Sequence, residues 1–273
     1  MKALVLVMCI SVSWLSACPS NPPAAEGSEA SHEGGKGFHF GWLPGDRFDV
    51  VYSRQVKGET LEVTTRGTVR AEGNDLRVTF EPVKLSDKDK KLTAAGGTHA
   101  FLDVWPDLVV NKKTGELLAV DGNVTEPQKN AAARRWGTLS MLAGYDLEVG
   151  KQRAYQSEVE AGEGLLLPVK VTERYSETPE LGHKVEFTRT YEGEPVKKLW
   201  QVMLGDSGAP KSAVDAVQQA AREEKLVVLT DPQTLHHLRI EESSTFTVTT
   251  LDKKSERVDL YTESDRWQFT WTR

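Results

Sequence analysis

Arg266-Trp267-Gln268-Phe269-Thr270-Trp271-Thr272, close to the C-terminus, is the stretch that decides the fold class. Its large apolar residues Trp267, Phe269 and Trp271 alternate with polar ones. Side chains two positions apart on a strand lie on the same face of a sheet. The stretch therefore predicts a strand with one buried face and one solvated face.

The same alternation recurs along the chain and predicts a series of strands. They cover residues 48–56, 60–69, 76–80, 100–105, 108–111, 116–120, 154–160, 165–174, 184–191, 196–204, 235–251, 257–261 and 266–272. Short turn sequences such as Lys57-Gly58 and Gly73-Asn74 separate them, which is typical of antiparallel hairpins. We expect a mainly β protein, built as a curved antiparallel sheet or an incomplete β-barrel.

Two segments break the alternation and predict covering α-helices. The first is 126–143, where Thr125-Glu126-Pro127-Gln128 fits a capping box and Gly144 is a stop signal. The second is 210–225, an Ala-rich stretch with apolar residues at three- and four-residue spacing. Both helices are expected to cover the sheet.

An internal repeat is the next expectation. Residues 43–122 and 147–242 show the same order of turn glycines, short strands and a threonine turn, at Thr114 in the first copy and Thr234 in the second. The colinear order predicts two similar halves.

Composition limits the function classes. The chain has 273 residues and a formal net charge of −6, which makes nucleic acid an unfavourable partner. Residues 38–273 are long enough for a sizeable core. Residues 18–37 are rich in Pro, Ala, Ser, Glu and Gly, and this composition predicts a flexible tether.

The N-terminus resembles a bacterial lipoprotein signal. Lys2 precedes a short apolar run that ends in Leu15-Ser16-Ala17-Cys18, which resembles a lipobox. The resemblance implies that residues 1–17 are removed and that acyl chains are attached at Cys18. It also implies a lipid-anchored protein of the bacterial cell envelope. Pro19 rather than Asp follows the cysteine, which by resemblance to enterobacterial sorting indicates the outer membrane.

The cysteine count excludes thiol chemistry. The chain has two cysteines, of which Cys9 belongs to the predicted signal and Cys18 is the predicted acylation site. The mature protein would then have neither a disulfide nor a thiolate for catalysis or metal binding.

Ser207 is a candidate nucleophile, although the context is unfavourable. Gly205-Asp206-Ser207-Gly208-Ala209-Pro210 is close to the nucleophile segment of trypsin-like serine proteases, and the resemblance suggests His99 and Asp103 as base and orienter. The residues after the segment are predicted to be helical rather than a strand. The alternative is a turn whose Asp206 or Ser207 caps the second helix.

His236-His237 is the single pair of adjacent histidines. Neighbouring residues on a strand point to opposite faces, so the two rings are not expected to bind one metal ion. We predict that they are exposed strand histidines and that the protein has no metal site. The sequence contains no cofactor motif either, and we predict no cofactor.

Three function hypotheses follow. At pattern level the chain resembles β-rich envelope lipoproteins. Its strands and its Thr114 and Thr234 turns also resemble the half-barrel lipoprotein carriers and acceptors of the outer membrane, with no site residue carried over. The first hypothesis is a non-enzymatic envelope lipoprotein that binds a partner or maintains structure. The second is a carrier or sensor of an apolar, lipid-like ligand in a concave β face. The third is a serine hydrolase that uses Ser207.

Overall fold

One antiparallel sheet of eleven strands dominates the structure. The computed structural model describes residues 37–56, 59–94, 104–161, 165–178, 182–252 and 255–272. The strands are β1 (Arg47–Val56), β2 (Glu59–Glu72), β3 (Asp75–Phe80), β4 (Asp107–Val110), β5 (Leu117–Asp121), β6 (Gln152–Glu160), β7 (Leu166–Thr178), β8 (Gly182–Tyr191), β9 (Val217–Thr230), β10 (His237–Asp252) and β11 (Ser255–Thr272).

The strand order is β5-β4-β3-β2-β1-β11-β10-β9-β8-β7-β6, so the sheet is curved and does not close. The C-terminal strand β11 lies in the middle, between β1 and β10. Trp267 and Phe269 are buried on one face, while Gln268 and Thr270 are exposed on the other. The mainly β, unclosed antiparallel fold predicted from the sequence is confirmed.

Four helices accompany the sheet. They are α1 (Asp87–Ala94), α2 (Glu126–Ser140), α3 (Glu194–Asp206) and α4 (Lys211–Asp215). None of the helices within the described residues is long and apolar enough to cross a lipid bilayer. The first predicted helix is confirmed as α2, where the backbone N–H of Thr125 donates to Gln128 Oε1 at 2.7 Å.

The prediction of the second helix was wrong. Of residues 210–225, only Lys211–Asp215 is helical, and Val217–Thr230 is the strand β9. Arg222 and Glu224 occupy inward positions of β9, so the apolar alternation that indicates a strand is interrupted. The strand predicted at 196–204 was also wrong, because α3 covers it. Its buried residues Val196, Leu199 and Trp200 follow helical spacing.

Both long helices lie against one face of the sheet, here called the covered face. α2 buries Ala132, Trp136 and Leu139 in a large apolar cluster with β1, β11 and residues 38–42. α3 buries its apolar residues in a second cluster with β7 to β10. The covered face is therefore filled by side chains beneath both helices.

Two turns on the covered side have the same hydrogen-bond pattern. In the turn at residues 111–116, Asn111 N donates to Glu116 O at 2.8 Å, and in the turn at residues 231–236, Asp231 N donates to His236 O at 3.3 Å. Gly115 and Leu235 hold the equivalent left-handed position, with φ of 73° and 54°. The duplication of 43–122 and 147–242 stays a prediction.

Each of these turns is fixed by a buried tryptophan. Trp136 Nε1 donates to Gly115 O at 2.7 Å, and Trp42 Nε1 donates to Leu235 O at 3.2 Å. The two indoles pack edge to face, with their centroids 5.3 Å apart. This pair connects α2 and the N-terminal segment to both turns, and it positions the residues of the second turn described below.

Candidate functional site

A cavity of about 750 Å³ lies at the end of the sheet where the described chain begins. We call it the end cavity and define it by Gly37, Tyr175, His183, Thr230, His236 and Trp271, which are among its lining residues. These residues come from the N-terminal segment, β7, β8, the end of β9, the second turn and β11. Its volume lies within the range of roughly 300–1,000 Å³ that is typical of small-molecule sites.

Tyr175 and His183 form the polar side of the end cavity. Tyr175 Oη lies 2.6 Å from His183 Nδ1. Burial, and secondly the charge of Glu177, raises the pKa of Tyr175, so its hydroxyl keeps its proton at neutral pH. The pair therefore places a hydroxyl and an imidazole, already hydrogen-bonded to each other, at the cavity wall.

His236 and Trp271 form the aromatic side. The two rings are stacked, with centroids 3.9 Å apart and an interplanar angle of 11°. His236 Nε2 donates to Asp46 Oδ2 at 3.2 Å, and Trp271 Nε1 donates to His237 O at 2.7 Å. These hydrogen bonds fix both rings, so this wall is already formed without a ligand.

His237 has a different environment from its neighbour. It is fully buried, and its Nε2 donates to Leu139 O at 2.6 Å, while Nδ1 has no hydrogen-bond partner within the described structure. Burial lowers the pKa of His237 to about 4, so the ring is neutral at physiological pH. The prediction that both histidines are exposed was wrong, since His237 anchors α2 to the sheet.

A row of ionisable side chains crosses the covered face between the two apolar clusters. We call it the polar band and define it as the buried Glu173, Arg189, Arg222 and Glu224 together with the half-buried Glu242. Arg222 Nη2 lies 2.6 Å from Glu224 Oε1, and Arg189 Nη1 lies 3.9 Å from Glu224 Oε2. Buried charges are tolerated when they are paired and hydrogen-bonded in this way.

The tyrosines around the polar band complete its hydrogen bonding. Tyr191 Oη donates to Glu224 at 2.9 Å, and Tyr145 and Tyr155 donate to Glu173 at 3.0 and 2.8 Å. Burial, followed by the hydrogen bond that Tyr155 donates to Glu173, raises the pKa of Tyr155 to about 12. The tyrosines remain protonated donors, so this arrangement stabilises the carboxylates rather than preparing a nucleophile.

The carboxyl pKa of Glu242, in the polar band, is shifted far from its ordinary value. Burial is the main cause and the charge of Asp265 the second, and together they raise its pKa to about 8. A hydrogen bond from Thr138 of α2 and the charge of Arg54 act in the opposite direction. The carboxyl is therefore protonated at neutral pH.

The described residues place Ser207 in a local turn rather than beside a histidine base. Ser207 ends α3, and its hydroxyl donates to Leu204 O at 2.5 Å. His99 and Asp103 lie outside the described residues, as does the predicted acylation site Cys18. Within the described ranges, no group of three or more His, Cys, Asp or Glu side chains is arranged to hold a metal ion.

The sequence did not reveal the end cavity. Its residues are separated by up to 234 positions along the chain, from Gly37 to Trp271, so no local motif contains them. The alternation around Trp271 and the turn signal at Thr234 were recognised, but their convergence depends on β11 lying between β1 and β10. That strand order is not encoded in any single segment.

Comparison with known proteins assigns no family. No protein-family model and no curated protein matches the chain. Among solved structures it is similar to "Lipid-protein interactions in lipovitellin", with 8% sequence identity and a TM-score of 0.36. The similarity covers 84% of this chain and 26% of that one, so this chain spans about a quarter of the lipovitellin chain. The function of the protein must therefore be inferred from its own residues.

Proposed function

We propose that the protein is a non-enzymatic binding lipoprotein of the bacterial cell envelope, anchored in the outer membrane by acyl chains on Cys18. The end cavity is the observation that supports this proposal most directly. Its aromatic and polar walls are fixed by internal hydrogen bonds and lie open to an occupant. A preformed recess of this kind suits binding by a group from an envelope partner.

The position of the end cavity also suits an anchored protein. Gly37, at the end of the predicted tether, lines the cavity, and Phe38 N donates to Tyr145 O at 3.0 Å. The tether of residues 18–37 would span at most roughly 70 Å when fully extended. A partner held in the cavity would therefore stay within that distance of the membrane.

A second candidate function is the carriage of an apolar, lipid-like ligand in the same cavity. Leu238 lines it and is 45% exposed, next to the aromatic wall that contains Trp271. The covered face beneath α2 and α3 holds the two packed apolar clusters. In this second proposal the ligand therefore binds at the end of the sheet.

Mass spectrometry of the full-length protein tests both the anchor and the occupant. Acylation of the N-terminal peptide that Cys18→Ala abolishes and Cys9→Ala preserves would support the anchor. A partner or a lipid that co-purifies with the wild type and is lost in Leu238→Arg would support binding at the end cavity and identify its class. Leu118→Arg is the matched control, because Leu118 is 48% exposed on β5, outside the cavity.

The outcomes separate the two parts of the proposal. An unacylated Cys18 would overturn the anchor alone. Retention of every co-purifying molecule by Leu238→Arg, or loss of the same molecule in Leu118→Arg, would overturn the assignment of the end cavity.

A further inference from the structure

The β10–β11 hairpin extends beyond its neighbour β1. β1 ends where Val56 pairs with Glu263, whereas β11 pairs with β10 as far as Ser255. Along residues 255–262, the side of β11 opposite β10 therefore pairs with no described strand. Unpaired strand edges of this kind are templates for another strand, and many proteins protect them. We call residues 255–262 the open edge.

The open edge carries exposed apolar side chains. Val258 is 60% exposed and Leu260 is 68% exposed, and both lie on the face opposite the covered face. They are opposite Thr249 and Thr247 of β10, so no large apolar neighbour covers them from that strand. An exposed apolar edge is a site of association, because a strand that pairs with it satisfies its backbone groups and buries its side chains.

The charges along the open edge are self-complementary. Arg257 and Asp259 flank Val258 on the covered face, where Arg257 Nη2 lies 2.8 Å from Asp259 Oδ1. If two copies pair antiparallel about a two-fold axis through Val258, each Arg257 lies opposite the Asp259 of the other copy. Val258 of one copy then lies opposite Val258 of the other copy. Opposite charges and β-branched residues are favourable cross-strand pairs.

We propose that the protein forms a two-fold symmetric dimer through the open edges, with Val258 on the axis. The two eleven-stranded sheets join into one continuous sheet across β11. Such an isologous contact uses the same surface patch on both copies, as most homodimers do. A two-residue shift of the register would place Asp259 opposite the Asp259 of the other copy, or Arg257 opposite the other Arg257, so the charges favour the register centred on Val258.

Disulfide trapping in the full chain tests the register. In a Cys9→Ala, Cys18→Ala background, Val258→Cys introduces the single thiol. Opposed Cα atoms in an antiparallel pair are about 4.5–5.5 Å apart, which a disulfide can bridge. Leu260→Cys is the matched control, because its two copies would be about 14 Å apart in this register. Rapid dimer formation by Val258→Cys alone is expected. Equal trapping of the control, or no trapping of either, would overturn the proposal.

Charge reversal tests the same contact by sedimentation of the otherwise unmodified full chain. In a dimer of Arg257→Asp, or in a dimer of Asp259→Arg, like charges lie opposite one another at both symmetry-related contacts. We expect the dimer dissociation constant of each variant to rise roughly tenfold. An equimolar mixture of the two variants pairs Asp with Arg at both positions, so the dimer should return. A monomeric wild type, or a mixture as weak as its components, would show that the open edge does not bind a second copy.

Discussion

The wild type should lose stability as the pH rises, because Glu242 gives up its proton. Replacing Glu242 with Gln should remove this loss. The pKa of Glu242 is about 8 in the folded protein and 4.5 as an ordinary glutamate. Between these pH values the folded state holds a proton that the unfolded state has released. The stabilisation that accompanies this proton is complete below pH 4.5 and is lost as the pH rises through 8. At 1.36 kcal/mol per pKa unit the full difference is at most about 5 kcal/mol.

His237 defines the pH range in which Glu242 can be observed alone. Its folded pKa of about 4 lies below the ordinary value of 6.5, so stability rises with pH between these two values. From about pH 4.5 to 6.5 the contributions of His237 and Glu242 therefore oppose each other. Above about pH 6.5 the contribution of His237 is nearly complete, so of these two residues mainly the glutamate acts up to pH 8, and its titration should cost the wild type about 2 kcal/mol of unfolding free energy.

Urea denaturation followed by tryptophan fluorescence measures this difference. The full chain and Glu242→Gln are compared at pH 6.5, 7.2 and 8, with the slope against urea held constant in the fit. The variant should lose much less stability than the wild type over this range, because Gln has no titrating proton. Glu62→Gln, an exposed residue of β2, controls for the loss of one negative charge. Identical pH profiles for the wild type and Glu242→Gln would refute the reasoning.

Two further predictions concern packing and acid stability. His237→Gln should remove the part of the acid sensitivity between pH 6.5 and 4 that comes from His237, which is at most about 3 kcal/mol and which Glu242 opposes in the wild type. In the same denaturation series the stability of the variant relative to the wild type should therefore rise by up to that amount as the pH falls. Gly67→Ala should cost about 1–3 kcal/mol, because its Cβ would lie 2.2 Å from Cζ of the buried Phe48. Gly137→Ala in α2 meets no atom within 4 Å and should gain about 0.5–1 kcal/mol, so the two variants should shift the melting temperature in opposite directions. An equal shift in the same direction would contradict the packing argument.

Strands were predictable where one face is apolar and the other is wet. β11 meets this condition around Trp267 and Phe269, and the strand was found from alternation alone. β9 does not, because Arg222 and Glu224 point toward the covered face and interrupt its apolar positions. With that signal interrupted, the Ala, Gln and Glu residues of the segment indicate a helix. In the strand these two charges pair with each other, and Tyr191 of β8 donates to Glu224. The contact with Tyr191 is a tertiary one that no local window contains.

The candidate site was less predictable than the fold for a related reason. His236 and His237 are adjacent, and the rule that neighbouring strand residues face opposite ways separates them correctly in principle. The rule does not say what each face meets. One ring stacks on Trp271 beside the end cavity, and the other is buried under Leu139 of α2. The covering helix therefore buries His237 and keeps it neutral, and the sequence alone does not place that helix.

The end cavity and the open edge lie at opposite ends of β11, and their separation makes the two proposals independent. Trp271 lines the cavity, and Val258 is thirteen positions earlier on the same strand. At about 3.3 Å per residue the two positions are roughly 43 Å apart. Dimerisation across Val258 would thus leave both cavities accessible, and cavity occupancy should not change the dimer dissociation constant. If Leu238→Arg weakened the dimer, or if Arg257→Asp released a ligand from the cavity, the two ends of the sheet would be coupled. That result would contradict the prediction that the two sites act independently.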